Sequence, residues 1–192
     1  MSSIEAKVAL RAKGIAARSA LRGEERHKAT AGATARALKK LRAHEGAIGL
    51  YVAFRDEINA LPLMEALADA GRRLALPCVP RFGEPLIFRA WEPSDTLVRG
   101  RLNIPEPSPD APVILPQILV VPPVAFDRRG YRIGYGGGFY DRTIPVLRNH
   151  HPVFALGFAF ACQEAEGLPT EQHDVPLDAI ATEHELIEPD SR

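Results

Sequence analysis

VILPQILVVP, residues 113–122, is the most apolar stretch of the chain. Its Ile, Leu and Val follow one another without the polar alternation of a half-wet strand, which suits a central strand covered on both faces. AIGLYVAF (47–54) is a second run of this kind, and PVFALGFAF (152–160) a third. RLALPCVP (73–80) and PLIFRAW (85–91) read as shorter strands, with Pro77 and Pro80 favouring strand ends or edges because proline lacks the N–H that a ladder needs. DAIATEHELIE (178–188) reads as a last short strand and its continuation. Between the strands the spacing turns helical. Ile4, Val8 and Ile15 recur among basic residues in a first helix over 5–20, and a second Ala-, Lys- and Arg-rich helix covers 24–43 after a break at Gly23. Leu63, Leu67 and Ala70 mark a helix from Asn59 that Gly71 closes, and Tyr140 to Arg148 can form another. Pro105, Pro107, Pro109 and Pro112 mark an extended crossing. Strands alternating with helices predict an α/β fold: one three-layer domain over residues 1–192 with a mostly parallel sheet.

The length allows one such domain with a full core and is too short for two of ordinary size. Hydrophobic residues make up 46% and charged residues 25%, the balance of a soluble globular protein. No apolar run approaches the roughly 18 residues of a membrane helix, so no membrane partner is expected. Cys78 and Cys162 stand far apart with no zinc-ligand spacing, and both are expected as small core residues of a cytoplasmic protein. The basic start imitates a transit peptide, but without a signal-type apolar region or cleavage site it reads as the first helix of the mature protein. The net charge of zero conceals an asymmetry. Residues 1–44 hold 11 Lys and Arg against 3 Asp and Glu, whereas residues 163–192 hold 9 acidic residues and 1 Arg. The two ends can meet in space. A basic segment can also bind nucleic acid, but a neutral whole and the lack of a nucleic-acid motif argue against such a partner.

The central apolar run leads through DRRG (127–130), where Asp127 shapes a turn, into RIGYGGGFYDR (132–142). Gly134, Gly136, Gly137 and Gly138 remove side chains where backbone N–H groups can converge on an anion. The pattern is neither the P-loop, which needs a lysine and a hydroxyl, nor GxGxxG, whose last glycine is here Phe139. By itself the loop reads equally as a tight turn under packed helices.

VPPVAFDRRGYRIGYGGGFYDR (121–142) resembles the signature of the 5-formyltetrahydrofolate cyclo-ligase family, also called methenyltetrahydrofolate synthetases. The N-terminal KxxxR, the IGLYVAFRDEI stretch and the late HDVPLD segment fall in the family's order. The resemblance implies a fold similar to the NagB/RpiA/CoA-transferase group. It also implies an ATP- and magnesium-dependent closure of 5-formyltetrahydrofolate to 5,10-methenyltetrahydrofolate, with ADP and phosphate released. ATP would be bound by Lys7, Arg11 and the loop Arg132, Ile133, Gly134, Tyr135, Gly136, Gly137, Gly138, Phe139 and Tyr140. Arg11, Val52, Glu57, Tyr135, Gly136, Gly137, Gly138 and Phe139 would face the reduced folate. Magnesium would fall to Asp141 and Asp174, and Arg132 and Tyr140 would be catalytic. The implied enzyme is a cytoplasmic monomer. Two departures stand out, since some members carry a lysine at Gly137 and an arginine at Tyr135. A binding protein that keeps the nucleotide fold without folate turnover is the alternative.

The residue types suit this chemistry. A formyl oxygen is a poor leaving group until it is phosphorylated, and phosphoryl transfer asks mainly for position and positive charge. Arg132 offers a planar fork of donors, and Lys7 and Arg11 stand i and i+4 on a helix so that both heads reach one ligand or share a solvated basic face. Asp141 and Asp174 are hard oxygen donors suited to magnesium or, equally, to capping. Glu57 can accept bonds from a pterin or serve as a turn residue, and Tyr135, Phe139 and Tyr140 offer ring faces to a ligand or to packing. His173, beside Asp174, is left without a role.

Overall fold

The computed structural model describes residues 3–190. Two helices open the chain, α1 (Ser3–Ala20) and α2 (Gly23–Leu41), and Gly23 turns between them with φ at 48°. There follow β1 (Ile48–Gly49), α3 (Leu61–Asp69), β2 (Leu74–Cys78), β3 (Ile87–Trp91), β4 (Val98–Arg99) and β5 (Pro105–Glu106). Then come β6 (Val113–Ile114), β7 (Ile118–Val121), β8 (Ala125–Phe126), β9 (Arg132–Ile133), α4 (Phe139–Arg148), β10 (Phe154–Phe158), β11 (Ala179–Ala181) and β12 (Leu186–Ile187). Eight strands form one sheet in the order β12, β11, β10, β7, β1, β2, β3, β6. From β11 to β2 the pairings are parallel, and β12, β3 and β6 add antiparallel pairings at the margins. From β1 the sheet grows one way to β2 and the other way to β7 and β10, so the strand order reverses between β1 and β7.

Side-chain alternation divides the core into two layers. Along β7, Ile118 and Val120 pack with Leu41 of α2 and Leu63 and Leu67 of α3, whereas Leu119 and Val121 pack with Ile144 and Leu147 of α4. Leu156 against Ala155 and Ala179 against Ile180 repeat the division in β10 and β11. Helices therefore cover both faces of a mostly parallel sheet, as the apolar runs predict. Truncating Leu119, fully buried between β1 and β10, removes apolar contact that is worth about 2–5 kcal/mol in such cores.

Several elements differ from the sequence expectations. VILPQILVVP is two strands: Pro116 interrupts it, so Val113–Ile114 joins the far margin beside β3 while Ile118–Val121 takes the centre. AIGLYVAF is laddered only through its start, for after the Leu50 N–H donates to the Ala75 carbonyl at 2.9 Å the chain leaves the sheet. Pro77 sits inside β2, away from the sheet edge. The Ala75 carbonyl faces β1, so the two-residue period turns the Pro77 nitrogen to the same side, past the point where β1 ends. DAIATEHELIE folds into the β11–β12 hairpin. Cys162 is exposed and Cys78 only half-buried, so neither is a core residue. Gly71 closes α3 as expected, with φ at 70°, its N–H donating to Ala68 and the Arg72 N–H to Leu67.

The first helix packs the other way round. Ile4 and Val8 are exposed, and the buried residues of α1 are Gly14 and Arg18. Lys7, Arg11, Gly14 and Arg18 repeat at i, i+4, i+7 and i+11, one face of a helix. At Gly14 a Cβ would collide with the Val124 carbonyl oxygen, so only glycine lets α1 lie this close to the loop before β8. α1 packs on the β8–β9 hairpin and the turn at 161–163 rather than on the main sheet, and its basic face turns toward the loops that Lys7, Arg11 and Arg18 bind.

Candidate active site

The cavity opens at the carboxyl ends of the parallel strands, over the reversal between β1 and β7 where α/β sheets bind ligands. Tyr51, Val52 and Phe54 follow β1, Pro77 and Val79 come from the end of β2, and Val121 and Pro122 from that of β7. Its volume of about 710 Å³ lies within the range of small-molecule sites. Every residue that the sequence reading assigns to a site lines this one cavity, from Lys7 and Arg11 through Val52, Glu57 and the 132–141 loop to Asp174.

The glycine loop is held from outside. Asp127, buried, accepts the N–H groups of Arg129 at 3.0 Å and Tyr131 at 3.1 Å, and the Gly130 N–H closes the turn on the Asp127 carbonyl. The chain then runs up β9 and enters α4 through Gly138, whose left-handed φ of 61° suits glycine best. The N-cap of α4 offers no side chain, so the first amides have no capping partner among the described residues, the arrangement that binds anions. Gly136 also needs glycine, with φ at 98°. At Gly137 a Cβ would lie 2.6 Å from the Phe139 ring. At Gly134 a Cβ would meet nothing within 4 Å, so there the bare backbone serves open space.

Charge surrounds the loop in matched pairs. Arg132, nearly buried, donates from Nη2 to Asp141 Oδ1 at 2.8 Å and from Nη1 to the Val175 carbonyl. The Val175 N–H donates back to the same Asp141 oxygen at 3.2 Å. Burial pulls the Arg132 guanidinium below its ordinary range against the opposing pull of Asp141. Lys7 reaches Asp174 at 2.8 Å and Glu171 at 3.4 Å, and the ends of opposite charge do meet. Burial opposes the charged form of Asp174, but bonds from Lys7 and the Glu171 amide outweigh it and hold the carboxyl below its usual range. Arg11 donates from Nε to the Gly134 carbonyl at 2.7 Å. Three cations of the basic N-terminal segment are thus turned onto the protein's own loop and acidic tail, counting Arg18 on the Tyr135 hydroxyl.

Asp141 and Asp174 fit a hard cation. Each commits one oxygen to a cation and an amide, and among the described residues leaves the other with no partner nearer than the His173 ring, 3.9 Å from Asp174 Oδ1. Among the described residues no cluster of three or more His, Cys, Asp or Glu forms a full protein cage. Magnesium commonly takes one or two carboxylates and completes its shell with waters and other oxygen donors.

The opposite wall is aromatic and apolar. Phe54 meets Tyr135 edge-on at 5.7 Å, Phe82 lies 6.4 Å from Phe139, and Leu102 and Ile104 reach in from the loop joining β4 and β5. Glu57 is buried here, its Oε2 accepting the Phe54 N–H at 2.8 Å across the turn that sets Arg55 at φ 53°. Burial pushes its carboxyl up to about 7, against that bond and the charge of Arg18. Burial also pushes the Tyr140 phenol well above its ordinary range, so it faces the cavity as a neutral donor. Sequence reading passed over Arg18, Tyr51, Arg55, Phe82, Glu171 and His173. Arg18 had a signal, its place on the Lys7–Arg11 face; Phe82 had none, because PRFG reads only as a turn.

Fold and site together define an α/β enzyme with an anion cradle and an aromatic wall in one cleft. Comparison with known proteins places it more closely. The profile of the 5-formyltetrahydrofolate cyclo-ligase family matches residues 3–183. The chain is 39% identical over 146 residues to the 5-formyltetrahydrofolate cyclo-ligase of Escherichia coli K12, covering 73% of this chain and 80% of that protein. With that of Haemophilus influenzae it shares 35% over 166 residues, 83% of this chain and 88% of the relative. The solved structure of Aquifex aeolicus 5,10-methenyltetrahydrofolate synthetase matches with a TM-score of 0.79 at 28% identity, covering 97% of this chain and 94% of that one. The chain belongs to the 5-formyltetrahydrofolate cyclo-ligase family.

Proposed function

We propose that this enzyme uses ATP with magnesium to close 5-formyltetrahydrofolate into 5,10-methenyltetrahydrofolate, releasing ADP and phosphate. The observation that carries the reading is the joining, in one cavity, of the uncapped α4 start and its glycine loop with the aromatic wall that holds Glu57. The first end suits a polyphosphate and the second a flat, polar-edged ring. The whole chain is read as one domain that acts as a monomer in the cytoplasm.

In this reading the loop amides and Arg132 hold the transferring phosphoryl group, with Lys7 and Arg11 on the flanking phosphates. Asp141 and Asp174 would hold magnesium, which supplies charge neutralisation on the phosphates when bound. The ion pairs of Lys7 with Asp174 and of Arg132 with Asp141 place each cation next to a carboxylate that the metal would engage. Tyr140, held neutral, donates a hydrogen bond toward the phosphorylated formyl oxygen. Val52, Phe139 and Tyr135 pack against the folate, and Glu57 accepts from its polar edge.

Phosphate release from ATP tests this. The account expects release that depends on added 5-formyltetrahydrofolate and stops without magnesium. Release that ignores the folate would oppose it.

A further inference from the structure

Arg18 is 1% exposed, joins no ion pair among the described residues, and uses one donor, Nη2, on the Tyr135 hydroxyl. Its Nε and Nη1 are buried without any hydrogen-bond partner. A buried guanidinium left so poorly satisfied is costly to a fold, and an apolar side chain of the same length serves packing better. Arg18 does not line the cavity, but its guanidinium stands 5.4 Å from the centre of the Tyr135 ring, which does. Arg26 ties the backbones of Arg18 and Glu57 together, donating to the Arg18 carbonyl at 2.9 Å and to the Glu57 carbonyl, and the nearby Arg18 charge favours the ionised form of Glu57, a carboxylate of the aromatic wall. The other groups facing Glu57 are the phenols of Tyr51, Tyr135 and Tyr140, and Arg26 of α2, which binds the Glu57 carbonyl at 3.1 Å. Glu57 Oε2 is held by the Phe54 amide, and the other carboxylate oxygen makes no hydrogen bond among the described residues.

We propose that Arg18 is a positioning residue for ring closure: it fixes the Tyr135 hydroxyl at the cavity wall and supplies the positive charge that keeps Glu57 a carboxylate, ready to accept the N10 proton of the folate. The proposal rests on the cyclo-ligase reading above. Attack by N10 forms the bond to the formyl carbon, whose oxygen carries the phosphoryl group taken from ATP. The N10 proton passes to Glu57. The carbon–oxygen bond then breaks with its electron pair leaving on phosphate, a nitrogen lone pair closes the methenyl bridge, and Glu57 returns its proton to water.

The test uses the full chain with R18M, R18K and E57Q, and measures the thermal midpoint and the pH profile of methenyl formation. Wild-type turnover is expected to rise along an acid limb that ends near the pH where Glu57 ionises. R18M is expected to melt no lower than wild type, to turn over about tenfold more slowly at neutral pH, and to have its limb moved up by about one pH unit. R18K restores the limb. E57Q loses the limb and about 100-fold in turnover. An R18M enzyme with the wild-type limb, or one that melts lower with the limb unmoved, overturns the proposal in favour of a packing role. Should R18M fail to fold, an E57Q enzyme that keeps the wild-type limb overturns it as well. A wild-type protein that makes no methenyl product defeats the cyclo-ligase reading itself, a result distinct from an active enzyme whose profile ignores position 18.

Discussion

The Arg132 guanidinium and the Asp141 carboxylate meet at 2.8 Å at the foot of the glycine loop, and the Val175 backbone binds both partners. A group expected from its residue type to hold phosphate is therefore also a structural pin between the loop and the C-terminal segment. R132A is expected to lose at least about 100-fold in turnover and about 1–3 kcal/mol in stability, because Asp141 loses its guanidinium partner and keeps only the Val175 amide. R132K, which keeps the charge without the fork, is expected to recover stability more than turnover. Steady-state rates beside denaturant melts separate the two losses, and an R132A enzyme of normal rate contradicts the phosphate role.

The glycines of the loop do not share one reason for being glycine. A Cβ at Gly134 meets open space, so G134A is expected to fold as stably as wild type and still to weaken ATP binding by about tenfold, roughly 1.4 kcal/mol, because the added carbon enters the ligand's approach. G137V is expected to weaken ATP binding by displacing the Phe139 ring. Calorimetric titration with ATP and magnesium checks both, and unchanged affinity in G134A contradicts the close backbone approach.

Much of this architecture was legible in the residues. Continuous apolar runs mark buried parallel strands because both faces of such a strand are covered, and Ile118–Val121 lies between the two helix layers for that reason. The same run holds a strand break that Pro116 marks, but nothing local tells Val113 and Ile114 that their neighbour is β3 rather than β1. The orientation of α1 was illegible for a different reason. Helical periodicity assumes that apolar residues face inward, whereas α1 packs its cations against a loop and leaves Ile4 and Val8 in solvent. The glycine loop announced itself by composition and Arg18 by its place on the Lys7–Arg11 face, but Phe82 comes to the site only through the tertiary fold.

Glu57 carries a pH signature in stability as well as in rate. Its carboxyl is raised from 4.5 to about 7 by burial, so on raising the pH the unfolded chain gives up the proton first, and the folded state loses stability between those values. E57Q removes the titration. It is expected to gain on wild type by up to about 3 kcal/mol on going from pH 4 to pH 8. Urea melts across that range check the sign, and a difference that does not vary with pH contradicts the raised carboxyl.

Asp174 bears on magnesium. D174N is expected to raise the magnesium concentration for half-maximal turnover by at least about tenfold, roughly 1.4 kcal/mol, while Lys7, still paired with Glu171, keeps ATP affinity in the absence of metal close to wild type. Titration of magnesium at fixed ATP measures the first and metal-free ATP binding the second. An unchanged magnesium requirement contradicts the metal role of this carboxylate.

The most direct measurement is the absorbance of the methenyl product, followed as purified protein is mixed with (6S)-5-formyltetrahydrofolate, ATP and magnesium, beside a control without ATP. The account predicts a product band that grows only with ATP, one ADP appearing for each methenyl group formed. Folded protein that binds ATP and yields no band would contradict it and mark the chain as a nucleotide binder on a cyclo-ligase fold.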